Sequence, residues 1–191
     1  MKSSSPLVIA MATLTLGACA APTAYAPAGI HSVRGGYSEH RLEVDRYVVS
    51  FAGNPVTSRQ QVEMGLLLRA AELTADNGYS WFTSVPATAD TDPRVQSAED
   101  DPAWRPDPVW ARYAGPWQPS WRYHFRTDYM GGGVRPSAGR VNHDRDQIDR
   151  YQATAEIVMG RGPRPTGDPN AFDAADVITT LSGRMPRSTG G

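Results

Sequence analysis

Hydrophobic positions recur along two stretches of the chain with the period of two that is typical of half-buried β-strands. In the first stretch, Tyr47, Val49 and Phe51 form one face. The segment YSEHRL at 37–42 and a polar turn at 43–45 precede it, so the pattern predicts a β-hairpin. The second stretch, DRYQATAEIVMGRG, predicts a strand with one face made of Tyr151, Ala153, Ala155, Ile157 and Met159.

Between these stretches, apolar residues at helical spacing predict one long amphipathic helix. Its inward stripe consists of Val62, Leu66, Ala70 and Leu73, widened by Leu67 and Leu68. Thr57 or Ser58 can cap the first turn, with a glutamine three residues later to complete a capping box. The helix should end near Asn77, because Gly78 readily takes the left-handed conformation that terminates helices.

Two shorter elements follow from local signals. YSWFTSV at 79–85 is rich in aromatic and β-branched residues and predicts a third strand. A short helix at 174–181 can be capped by Asp173. Residues 86–150 are poor in aliphatic side chains and predict an irregular Trp-, Pro- and Gly-rich insertion, with one strand near 121–127. The expected fold is therefore α+β: an antiparallel sheet with one long and one short helix packed on it.

The N-terminus carries an export pattern. Lys2 supplies a positive start, and the apolar run PLVIAMATLTL at 6–16 is too short to span a bilayer of about 30 Å. We therefore predict a signal peptide at 1–18. LGAC at 16–19 then resembles the lipobox of bacterial lipoproteins, which implies cleavage before Cys19 and attachment of diacylglycerol to its sulfur.

Cys19 is the only cysteine of the chain, so it cannot form an intramolecular disulfide, and lipidation accounts for its thiol. The alternatives are an ordinary signal peptide cleaved after Ala24 or Ala26, and a free surface cysteine. Lipoproteins that stay in the inner membrane often have Asp after the cysteine. Ala20 stands there in this chain, so the resemblance favours the outer membrane and a domain that faces the periplasm.

The remaining boundaries follow from composition. Residues 19–36 are small, contain Pro and Gly and lack periodicity, so they predict a flexible tether. A single α+β domain is expected at 37–185 and a disordered tail at 186–191. Lys2 is the only lysine; without residues 1–18 the chain has 18 arginines against 20 acidic residues, a formal charge of -2. No basic cluster is present, so we expect membrane lipid as a partner and no nucleic acid.

The insertion concentrates aromatic residues: Trp104, Trp110, Trp117 and Trp121 are interleaved with prolines. Exposed rings at this density could stack on sugars or bind an envelope protein, and proline would lower the entropy lost on binding. The other interpretation is that the rings fold back over the sheet and form a satellite core, and the sequence favours this one.

No catalytic or metal site stands out in the sequence, and we expect no cofactor. The histidines His31, His40, His124 and His143 lack the spacing of a metal site, and NHDRD around His143 is better explained as a solvated loop. No GxSxG or SxxK motif occurs, and the GGG at 131–133 lacks the lysine of a phosphate-binding loop. On the helix, Glu63, Arg69 and Glu72 predict surface ion pairs, although Arg69 could instead meet the polar end of the sheet.

Several segments resemble an uncharacterised family of alphaproteobacterial lipoproteins. They are GYSEHRLEVDRYVVSFAGN with TSRQQVEMGLLLRAAELTADNGYSWF, then YQATAEIVMGRG, then FDAADVI. The resemblance implies a lipid-anchored envelope protein with no assigned reaction and transfers no catalytic residue. The leading hypothesis is thus a non-catalytic structural or interaction module. The alternative is a cell-wall-directed hydrolase or metal-dependent envelope enzyme.

Overall fold

One long strand near the C-terminal end of the chain organises the sheet. The computed structural model describes residues 21–29, 35–85, 107–125 and 148–186. In chain order the elements are β1 (Gly36–Arg41), β2 (Arg46–Ala52), α1 (Arg59–Asp76), β3 (Trp81–Val85), α2 (Ala111–Ala114), β4 (Ser120–Phe125), β5 (Ile148–Gly160), β6 (Ala171–Asp173) and α3 (Ala174–Leu181). All the strand pairings are antiparallel, so the predicted α+β class is confirmed.

Strand β5 pairs along both of its edges. One edge pairs with β2, which in turn pairs with β1. The other edge pairs first with β3, whose last residue Val85 lies opposite Glu156, and then with β4, whose first residue Ser120 lies opposite Thr154. Strands β3 and β4 therefore follow one another along the same edge. Only Ala155 separates the β5 partner of Val85, where β3 ends, from the β5 partner of Ser120, where β4 begins.

Helix α1 covers the sheet face that carries the apolar positions of β2 and β5. Its N-terminus has the predicted capping box: the Gln61 backbone N–H donates to Ser58 Oγ at 3.2 Å, and the Ser58 N–H donates to Gln61 Oε1 at 2.9 Å. The helix ends at Asp76, and Gly78 follows with a φ of +74°. The predicted cap of α3 is also present, because Asp173 accepts from the Asp176 N–H at 2.9 Å.

The burial of α1 extends around most of its circumference. The predicted stripe is buried, and so are residues outside it, namely Glu63, Met64, Gly65, Ala71 and Thr74. A helix that is apolar on nearly all sides must be covered on nearly all sides. The sheet covers one side, and α3 packs against another.

The chain ahead of β1 packs on the domain, which corrects the predicted flexible tether for residues 21–29. Thr23 is buried, and its backbone N–H donates to Thr57 Oγ1 at 2.8 Å. The centroids of the Tyr25 and Phe51 rings lie 6.3 Å apart. The backbone N–H of Tyr25 donates to the Pro186 carbonyl at 2.7 Å. A parallel bridge then joins Pro27 to Tyr37 at the start of β1.

Gly36 makes this approach of the two segments feasible. It has a φ of +107°, and a Cβ at this position would lie 2.4 Å from the carbonyl oxygen of Ala26. Gly36, one of the residues that suggested flexibility in the sequence, is therefore required here for its positive φ and for its lack of a side chain. The folded unit accordingly includes residues 21–29, ahead of the predicted domain start at residue 37, and reaches Pro186.

Gly65 sets how closely α1 approaches the sheet. A Cβ there would lie 2.8 Å from the fully buried Phe51 ring and 3.0 Å from Met185 Cε.

Such overpacking costs about 1–3 kcal/mol, and it opposes the roughly 1 kcal/mol that alanine gains over glycine in a helix. We therefore expect Gly65→Ala to lower the free energy of unfolding in urea denaturation. Gly183→Ala is the matched control, because no atom outside its neighbouring residues lies within 4 Å of its added Cβ and its φ is not positive. Equal stability of the two variants would contradict the close packing at Gly65.

Candidate functional sites

Three of the four tryptophans of the insertion are buried. Trp110 is 1% exposed, Trp117 2% and Trp121 9%, whereas Trp104 lies outside the described residues. The partner surface proposed for these rings is therefore corrected at Trp110, Trp117 and Trp121. They pack as the other interpretation of the sequence describes, in one hydrophobic cluster with the sheet and α1.

Trp117 shows how the insertion joins the core. Its ring stands edge-on to Phe82 of β3, with centroids 6.3 Å apart, and edge-on to Phe172 of β6 at 5.6 Å. Phe82 and Phe172 are themselves stacked at 5.4 Å. Strand β6 has only three residues, too few to give a periodic signal, so the sequence did not predict it or this contact.

Glu63 is a carboxyl buried beside the tryptophans, and not on a solvated helix face as predicted. It is 6% exposed, and its Oε1 lies 3.5 Å from Arg59 Nε. Burial raises the pKa of Glu63 to about 7, while Arg59 and the nearby Trp110 indole act to lower it. Among the described residues, the enclosed Nε1 atoms of Trp110 and Trp117 have no hydrogen-bond partner of normal length and angle.

Arg59 links this carboxyl to the next tryptophan. Its guanidinium lies 4.3 Å from the centre of the Trp121 ring, within the range of a cation–π interaction. The aromatic insertion therefore covers an ion pair at the start of α1. A carboxyl whose pKa lies near neutral pH is common at functional sites, but structural ion pairs show the same shift. Glu63 is closed off from the surface by the tryptophans, which favours the structural role.

Arg69 on α1 meets the sheet, as the second interpretation of that residue predicted. Its guanidinium donates to both carboxylate oxygens of Glu39 on β1, at 2.9 and 3.2 Å, and lies 4.6 Å from the centre of the Tyr37 ring. Glu72 lies 3.6 Å from Arg69 and accepts a hydrogen bond of 2.5 Å from the Tyr25 hydroxyl. Burial, followed by this hydrogen bond, raises the pKa of Tyr25, so the phenol stays protonated. This cluster fastens the segment before β1 to the helix.

An open cleft of about 390 Å³ lies between the insertion and the β6–α3 segment. Arg112 donates to both oxygens of Asp176, at 3.0 and 3.1 Å, and to Thr180 Oγ1 at 2.8 Å. The Tyr113 hydroxyl donates to Asp176 at 2.7 Å, and burial raises the pKa of that phenol. Asp173 faces the cleft as well but is engaged as the α3 cap. Arg112 and Asp176 thus neutralise each other, and none of the described residues that line the cleft is a serine, cysteine or histidine.

The remaining predicted positions are dispersed or lie outside the described residues. His40 is exposed on β1, while Cys19, His31 and His143 fall outside the described ranges. Within those ranges, no group of three His, Cys, Asp or Glu side chains is placed to hold a metal ion. None of the described helices is both long and apolar enough to cross a membrane. Comparison of the chain with family models, with curated proteins and with solved structures finds no match.

The burial of Trp117 gives a direct test of the insertion as core. Trp117→Ala should lower the free energy of unfolding by about 3–5 kcal/mol, the range for deleting a large buried aromatic ring. Trp117→Phe should recover part of this loss because it keeps an edge-on ring between Phe82 and Phe172. Urea denaturation followed by circular dichroism measures both. An alanine variant as stable as the parent would show that the ring contributes nothing to the core.

Glu63 should make stability depend on pH. Between its ordinary pKa of 4.5 and about 7, the unfolded chain loses the proton while the folded protein keeps it. The folded state then binds more protons, so the free energy of unfolding falls as the pH rises through this window, by up to roughly 3 kcal/mol. Glu63→Gln should flatten this dependence in urea denaturations between pH 4.5 and 7.5. Glu43→Gln, whose side chain is 64% exposed, is the control and should leave it unchanged. If the free energy of unfolding of Glu63→Gln fell with pH as steeply as that of the parent, Glu63 would not be the group responsible.

Proposed function

We propose that this chain is a lipid-anchored protein of the bacterial cell envelope, cut before Cys19 and bound to the outer membrane on its periplasmic side. The observation that carries the proposal is LGAC at 16–19, placed directly after a positive start and a short apolar run. As Cys19 is the only cysteine, it has no disulfide partner within the chain.

The packing of the segment before β1 supports this cleavage site over the alternatives. Cleavage after Ala24 would remove Thr23, whose backbone N–H and hydroxyl both bond within the domain. Cleavage after Ala26 would also remove Tyr25, with its contacts to Phe51 and Glu72. Cleavage before Cys19 keeps all of these interactions in the mature protein.

The mature domain would act as a structural or interaction module rather than as an enzyme. The described cleft supports this part of the proposal, because its arginines and aspartates are used to hold α2, α3 and the β6 segment together. Glu63 also acts inside the fold, beneath the tryptophans, and not at an open surface.

Replacing the anchoring residue tests the proposal. Cys19→Ala should abolish metabolic labelling with a fatty acid and release the protein from membranes, because one or more acyl chains provide the attachment. Ala20→Asp is the matched control: it should remain labelled but shift from the outer to the inner membrane fraction. Loss of lipid should leave the circular dichroism spectrum of the domain unchanged. A Cys19→Ala protein that fractionates with membranes like the parent would overturn the proposal.

A further inference from the structure

The folded domain begins almost immediately after the proposed lipid. The carbonyl oxygen of Ala21 accepts a hydrogen bond of 2.7 Å from Asn54 Nδ2. Two residues later, Thr23 is buried and bonded to Thr57. Only Ala20 separates Cys19 from this first contact, so the two Cα atoms of Cys19 and Ala21 are at most about 7 Å apart.

This distance differs sharply from that of a free tether. A flexible segment spanning residues 19–36 would place the domain at a root-mean-square distance of roughly 20–25 Å from its anchor. The contacts of Ala21 and Thr23 remove that freedom. The surface nearest to the anchor is then the loop 53–58, between β2 and α1, which supplies both hydrogen-bond partners.

The chemistry of this loop suits a lipid surface. Its sequence, GNPVTS, contains no charged residue, and the Val56 side chain is 48% exposed next to the exposed Pro55. Two of its backbone N–H groups have acceptors within the loop: the Val56 N–H donates to Asn54 Oδ1 at 3.2 Å, and the Thr57 N–H donates to the Asn54 carbonyl at 3.0 Å. It can therefore enter the headgroup region without burying a charge, and these two N–H groups keep their partners there.

We propose that the lipidated protein lies on the membrane with loop 53–58 against the lipid headgroups, in a fixed orientation. The inference rests on the proposed lipidation of Cys19 and deepens it. Loop 53–58 follows the C-terminal end of β2, whereas the β1–β2 turn precedes its N-terminal end. Strand β2 has seven residues, so the turn lies roughly 20 Å from the loop, at the opposite end of the strand.

Two introduced cysteines report on this orientation. Lipid occupies Cys19, so Val56→Cys and Val44→Cys each add the only free thiol of the mature protein. Val44, at 68% exposed, is the matched exposed valine in the β1–β2 turn. Each lipidated variant is labelled with an environment-sensitive fluorophore and reconstituted into vesicles of phosphatidylethanolamine and phosphatidylglycerol that contain a headgroup spin label. The spin label should quench the probe at position 56 several-fold more than the probe at position 44.

A linker variant tests the role of the short connection. Ten Gly and Ser residues inserted between Ala20 and Ala21 should leave vesicle binding intact but reduce the difference between the two probes. Equal quenching at both positions of vesicle-bound protein without the linker would overturn the fixed orientation and leave lipidation standing. A fully exported protein that stays in solution when vesicles are sedimented, and that carries no lipid by mass spectrometry, would overturn the proposed function and this inference together.

Discussion

The burial of helix α1 on nearly all sides is the constraint from which most of the structure follows. A two-layer α+β fold ordinarily covers one stripe of a helix, and here the sheet does so through β2, β3 and β5. The residues of α1 that face away from the sheet are also buried, so other parts of the chain must cover them. Three separate segments do so: α3, the segment at 21–29, and the tryptophan insertion around α2.

The insertion is best understood from the register of β5. Strands β3 and β4 share one edge of β5 and almost meet there, so no partner position for a further strand is left between them on that edge. The described part of the chain between them adds apolar volume: Trp117 fills the space against Phe82 and Phe172, and Trp110 lies beside Glu63. Trp121, the second residue of β4, lies against Arg59. The burial of the Arg59–Glu63 pair is a consequence of this covering, since both side chains at the start of α1 would otherwise lie in water. Its members are held by each other and by the Trp121 ring rather than by solvent.

Elements with local signals could be predicted from the sequence, and elements defined by distant partners could not. The hairpin, the Ser58 capping box and the Asp173 cap all depend on residues within a few positions of one another. Strand β6, by contrast, exists because Phe172 stacks on Phe82, ninety positions earlier. Glu63 was predicted on a solvated face because helical periodicity shows only how apolar residues are spaced. It cannot show that the opposite side of the helix is covered by residues almost fifty positions away.

The segment at 21–29 illustrates the same limit, and it also connects the fold to the anchor. Small residues with Pro and Gly predict a linker, yet Gly36 uses its positive φ to let Ala26 approach, and Tyr25 reaches Phe51 and Glu72. These contacts lie between the proposed lipid at Cys19 and the rest of the domain. If Cys19 carries the proposed lipid, their strength decides whether the domain is held against the membrane or is free to move away from it. If the segment detached, the connection to the sheet would lengthen to all residues up to Gly35, and the domain could move roughly 20 Å from its anchor. The buried Thr23 and the Tyr25–Glu72 hydrogen bond oppose that detachment, so the interactions that complete the cover of α1 would also fix the position of the domain relative to the proposed anchor.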